Sequence, residues 1–172
     1  MNAPLIRDYE LELASPECHP GAEWYRACIT LDGNIAEALP YLNAELGGFD
    51  YQHNVRVLLW MCKGRNYAFR PEQVMIAPVF NREEADELAN EIVGKINDTW
   101  DRRSDITPRY EGRGPLPNTL EIYKLLPRTN CRECGHPTCM AFATALRNDP
   151  TLLPSCPYLP AEAYQRLVSR DT

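Results

Sequence analysis

Four of the chain's seven cysteines fall within "NCRECGHPTCMAFATALRNDPTLLPSCP" as Cys131, Cys134, Cys139 and Cys156. Their spacing is C-x2-C-x4-C-x16-C, and proline follows the last. The first three share a loop short enough to turn all three sulfurs toward one object. Gly135 frees that loop for positive φ, and Pro137 stiffens it. Turning backbone amides of this kind stabilise an anionic centre. Cys139 opens the helical stretch "TCMAFATALRN", whose positive end favours a thiolate. Ala141, Ala143 and Ala145 keep that helix slim, and Asn148–Asp149–Pro150 stops it. The chain then returns through "TLLPS" to deliver Cys156. Three bunched thiolates with a remote Cys-Pro are the ligand pattern of a [4Fe–4S] cubane. A four-cysteine zinc site is the structural rival, but zinc ribbons use two separate C-x2-C knuckles. Only one such pair is present, so the spacing favours iron–sulfur, with a zinc-stapled interaction domain as an alternative.

The surroundings decide what such a centre could do. Lys124, Arg128, Arg132 and Arg147 lie near the cysteines in sequence, against Glu121, Glu133 and Asp149. They form either a solvated face or a docking patch for an acidic redox partner. His136 could hydrogen-bond a sulfide, although a plain loop residue is the simpler reading. Cys28 and Cys62 lie in strand-like stretches and read as small core residues. Cys18, His19 and Cys28 match no ligand spacing. The chain has no G-x-G-x-x-G and no Walker A loop, and no nucleophilic triad or carboxylate pair converges. A lone cubane moves one electron at a time, so any work must finish on another molecule.

The elements that must position these residues read as α+β: a small antiparallel sheet with two covering helices, then a short helical and loop segment. "WYRACITL" (Trp24–Leu31), "VRVLLWMC" (Val55–Cys62), "YAFR" (Tyr67–Arg70) and "VMIAP" (Val74–Pro78) have strand composition. Tyr25, Trp60, Tyr67 and Phe69 read as ordinary sheet packing. Ile35, Leu39, Leu42 and Leu46 have helical spacing, with Pro40 either starting or kinking the helix. The strongest helix follows Asn81, where Ala85, Leu88, Ala89, Ile92, Val93, Ile96 and Trp100 form one apolar stripe. Residues 1–103 are expected to be one α+β domain, 104–117 a Pro/Gly/Arg-rich linker, and 118–172 the cluster domain. Within the last, Asn118 and Glu121 cap a helix that Pro127 ends. A final helix from Ala161 presents Tyr164, Leu167 and Val168 on one side.

Composition narrows the function class. A chain of 172 residues needs no disulfides to build a core. Its net charge of −6 disfavours nucleic acid as the main partner. No apolar run has the length of a membrane span, and the N-terminal residues lack a secretory pattern. The expected compartment is the cytoplasm, where clustered thiols stay reduced and bind metal.

The stretch "LEIYKLLPRTNCRECGHPTCMAFA…CP" (Leu120–Pro157) resembles the iron–sulfur cluster domain of the corrinoid/iron–sulfur protein large subunit. It is more distantly similar to the B subunit of the Rnf electron-transport complex. The resemblance covers about residues 118–159. It implies one [4Fe–4S] cluster on Cys131, Cys134, Cys139 and Cys156. In that family the domain passes single electrons to a corrinoid and reactivates it after oxidation. The corrinoid signature D-x-H-x-x-G is missing from this chain, so a corrinoid would reside on a partner. The expectation is an electron carrier or reductive activator for a partner metalloenzyme or corrinoid protein, not a stand-alone catalyst. An accessory factor for metallocofactor assembly, with a structural or transferable cluster, is the alternative.

Overall fold

The computed structural model describes residues 3–16, 21–112, 114 and 117–168. The chain divides into two compact units, Met1–Trp60 with Arg65–Gly112, and Met61–Gly64 with Arg113–Thr172.

Six strands form one antiparallel sheet: β1 (Tyr9–Ala14), β2 (Tyr25–Leu31), β3 (Asp50–Gln52), β4 (Val57–Cys62), β5 (Arg65–Arg70) and β6 (Gln73–Val79). Their order is β1-β2-β6-β5-β4-β3. The sequence pattern picks out β2, β4, β5 and β6. It misses β3, which at three residues is too short to show a period of two. It also misses β1, whose "YELELA" alternates but carries two glutamates on its open side. Pairing fixes β1 all the same, with Leu11 opposite Ile29 and Leu13 opposite Ala27. Between β4 and β5, Lys63 and Gly64 have φ of 48° and 72°. Two left-handed residues match the strand twist of a tight hairpin. One face of the sheet is dry: Ala27, Ile29, Phe69, Val74 and Ile76 are fully buried.

Helix α1 (Leu39–Leu46) begins beside Pro40, in its first turn, so the proline starts the helix and does not kink it. Helix α2 (Arg82–Asp101) buries Ala85, Ala89, Ile92 and Ile96, the centre of the expected stripe. Asn81 Oδ1 accepts the Glu84 N–H at 2.8 Å, while the Glu84 carboxylate accepts from the Phe80 N–H at 2.7 Å. The α1 and α2 helices pack on each other, and Thr99 donates to Glu45 Oε2 at 2.6 Å. Residues 109–112 are fastened to this unit. The buried Asn43 amide donates to the carbonyls of Arg109 and Glu111, both at 2.9 Å. A Cβ on Gly112 would lie 2.7 Å from Asp50 Cα, so the close approach requires glycine.

The second unit is helical. It contains α3 (Thr119–Leu125), α4 (Cys139–Asn148), a 3-10 segment Pro150–Ser155 and α5 (Ala161–Val168). Asn118 and Glu121 make a complete capping box: each side chain accepts from the other's backbone N–H. Ile122, Leu126, Phe142, Ala143, Leu146, Leu153 and Leu167 form the core, which includes Cys139. On α5 the buried residues are Ala163 and Leu167, an i, i+4 pair, whereas Tyr164 is 41% exposed. Ala163 thus joins Leu167 on the buried side, where the sequence pointed to Tyr164.

Candidate metal centre

The four clustered cysteines arrive on two arms of the chain. The first is the loop from Pro127 to Thr138, and its backbone is unusual. Arg128, Asn130 and Arg132 have φ of 61°, 52° and 66°, and Gly135 has 83°. Left-handed residues at such short intervals bend the chain sharply, at a cost that non-glycine residues bear only where contacts hold them. Two such contacts are visible. Asn130 Oδ1 accepts the Cys139 N–H at 2.8 Å, closing the loop on the start of α4. Gly135 N–H donates to the Arg132 carbonyl at 3.0 Å, making the turn that carries Cys134. Thr138 then caps α4, its hydroxyl accepting from the Ala141 N–H at 3.1 Å. Cys139 is the first residue of that helix.

The second arm is the return. Asp149 ends α4 and opens the 3-10 segment, its carboxylate accepting from the Thr151 N–H at 3.1 Å and the Thr151 hydroxyl at 2.6 Å. Cys156 follows immediately after that turn, as its C-cap.

The structure brings the two arms together. Burial pushes the Cys156 thiol up, and the sulfurs of Cys134, Cys131 and Cys139 push the same way, so all four are electrostatic neighbours. A hydrogen bond from the Tyr158 backbone to Cys156 acts against them. Cys139 belongs to the apolar core, Cys134 and Cys156 pack against it, and Cys131 is exposed. The centre thus has a dry side and a wet side. Among the described residues, no three His, Cys, Asp or Glu side chains are gathered around a point that would hold a single ion. The donor set itself fits an iron–sulfur group: four thiols outside any disulfide, on a rigid apolar base.

Other residues singled out by sequence fall elsewhere. His136 packs its ring on Phe142, with centroids 5.4 Å apart. Cys28 and Cys62 are half-buried and not part of the core. At Cys28 the reason is strand alternation, because Ala27 and Ile29 take the buried face. Cys18 and His19 lie outside the described residues. Lys124, Arg128, Arg132 and Arg147 are all exposed. Sequence reasoning missed Asn130 and Tyr158, and weighed Glu133 only as a local charge. Tyr158 is 55% exposed and donates its hydroxyl to Glu133 Oε1 at 3.0 Å. Only an asparagine's tolerance of left-handed φ could have hinted at the first, and nothing local hints at the pair.

An α+β protein with a helical four-cysteine segment is the class these features define. Residues 126–158 match the family model described as "Putative Fe-S cluster". The segment is 54% identical over 48 residues to the corrinoid/iron-sulfur protein large subunit of Moorella thermoacetica, covering 28% of this chain and 11% of that one. It is 45% identical over 49 residues to the acetyl-CoA decarbonylase/synthase complex subunit gamma of Methanocaldococcus jannaschii, covering 28% and 10%. Subunit gamma 2 of that complex from Methanosarcina mazei is 58% identical over 40 residues, covering 23% and 8%. The chain spans about a tenth of the length of the curated relatives it matches. No solved structure matches it. The cysteine segment is therefore an iron–sulfur cluster domain related to those subunits. Among the described residues, no helix is long and apolar enough to cross a membrane.

Proposed function

We propose that Cys131, Cys134, Cys139 and Cys156 hold one [4Fe–4S] cluster. The chain would act as a one-electron carrier or reductive activator for a partner metalloenzyme or corrinoid protein in the cytoplasm. The observation that carries this reading is the four-thiol set on its apolar base, inside a segment more than half identical to the corrinoid/iron-sulfur large subunit. When bound, such a cluster takes up and releases single electrons. The protein's part is to set access and field. Ile122, Phe142 and Leu153 keep water from one side, while the exposed Cys131 marks the side open to a partner. Arg128 and Arg132 flank Cys131 in sequence and, with Lys124 and Arg147, would favour a partner with an acidic rim. Residues 118–172 are the cluster domain in this reading, 104–117 the connection, and 1–103 a small α+β domain.

Anaerobic reconstitution with iron and sulfide tests it. We expect a brown protein with about four irons per chain and a paramagnetic signal on one-electron reduction. A chain that keeps zinc on these thiols and gives no reducible paramagnet overturns the reading.

A further inference from the structure

The two arms of the metal centre meet in different ways on its two sides. On the dry side the core joins them, since Cys134 and Cys156 pack against the same residues that bury Cys139. On the wet side, where Cys131 is exposed, Tyr158 makes a join. Tyr158 lies two positions beyond Cys156, and its backbone hydrogen-bonds that residue. Its hydroxyl reaches across a sequence separation of 25 to the carboxylate of Glu133, between Cys131 and Cys134. Tyr158 therefore touches the return with its backbone and the loop with its side chain.

We infer that Tyr158 is a positioning residue for the metal centre, a strap that ties the Cys156 return to the Cys131–Cys134 loop on the exposed side. The inference rests on the reading of the four cysteines as a metal centre. An exposed tyrosine–carboxylate bond adds little to global stability. Its effect is on local opening: with the strap released, the return swings away from the loop while the apolar core stays intact.

The test uses the full chain with Tyr158→Phe, Glu133→Ala, the double variant and Glu133→Gln. The first two remove the bond. Glu133→Gln removes the same charge as Glu133→Ala but keeps an acceptor oxygen, and so separates bond from charge. In reconstituted protein, we expect Tyr158→Phe and Glu133→Ala each to speed loss of iron to a chelator about fivefold. The double variant should be no faster, Glu133→Gln should stay close to the unaltered chain, and the unfolding midpoint should fall by no more than the loss of this one bond allows. Unchanged rates in Tyr158→Phe, or single effects that multiply in the double variant, overturn the strap. A second arm needs no cluster. Iodoacetamide labelling of the reduced apo chain, read cysteine by cysteine by mass spectrometry, should accelerate at Cys156 in Tyr158→Phe and Glu133→Ala but not at Cys139. Equal labelling of Cys156 in all variants also overturns it. Failure of the chain to take up iron and sulfide sinks the proposed function instead, and the labelling arm then decides the strap by itself.

Discussion

Asn130 does two jobs that separate substitutions can tell apart. It holds φ of 52°, where asparagine is tolerated better than most residues, and its side chain accepts the Cys139 N–H. Alanine at this position loses the acceptor and also resists the left-handed backbone, so Asn130→Ala should cost roughly 1–3 kcal/mol. Glycine adopts that backbone freely, so Asn130→Gly should cost only about 1 kcal/mol. Amide hydrogen exchange at Cys139 reports the result, with faster exchange in both variants and faster still in alanine. Equal rates in the two would show that the backbone conformation carries none of the effect. The cysteines themselves were legible in the sequence because ligand spacing is a local property of the chain. The bonds of Asn130, Glu133 and Tyr158 were not, because their partners lie 9 and 25 residues away and no periodicity connects them.

Helix α4 links the centre to its support, since its first residue is Cys139 and its inner face carries Phe142, Ala143 and Leu146. Phe142 is 1% exposed and also packs, with rings tilted, against His136. Phe142→Ala should lower the stability of the helical unit by about 3–5 kcal/mol, through lost burial and the cavity left behind. Phe142→Leu should cost well under half of that. Denaturant unfolding of the apo chain measures the loss, and iron retention should fall in the same order. Retention that survives Phe142→Ala unchanged would show that the loop holds the centre without the helix. At this scale the sequence was most legible where a cap and a period coincide. Asn81 and Asn118 marked the starts of α2 and α3 correctly because their side chains bond within three residues. It was least legible for β1, whose alternation carries two glutamates, and for β3, too short for a period; pairing with β2 and β4 fixes their place in the sheet. The burial of Ala163 on α5 was also not legible, because it depends on what faces that residue.

The whole chain is acidic, with a net charge of −6, yet the residues around Cys131 include Arg128 and Arg132. Nearby carboxylates are hydrogen-bonded and keep their charge: Glu121 closes a capping box, Glu133 accepts from Tyr158, and Asp149 accepts from Thr151. An anion approaching from far away meets a repulsive molecule, while one close to Cys131 also meets the Arg128 and Arg132 guanidiniums. Salt separates these ranges, because the screening length falls from about 30 Å at 0.01 M to about 3 Å at 1 M ionic strength. Stopped-flow reduction of the reconstituted protein by dithionite, whose reducing species is an anion, samples both. Each Arg→Glu reversal makes the chain two charges more negative and turns the rim repulsive. The double variant Arg128→Glu/Arg132→Glu should therefore be reduced about three- to tenfold more slowly at 0.01 M. Its rate should climb more steeply with salt and approach that of the unaltered chain near 1 M. Reversing Arg82 and Arg102, on and just beyond α2, changes the net charge equally but leaves the cysteine loop untouched. If that control slows reduction as much as the loop variant does, the overall charge governs access and the rim at Cys131 does not.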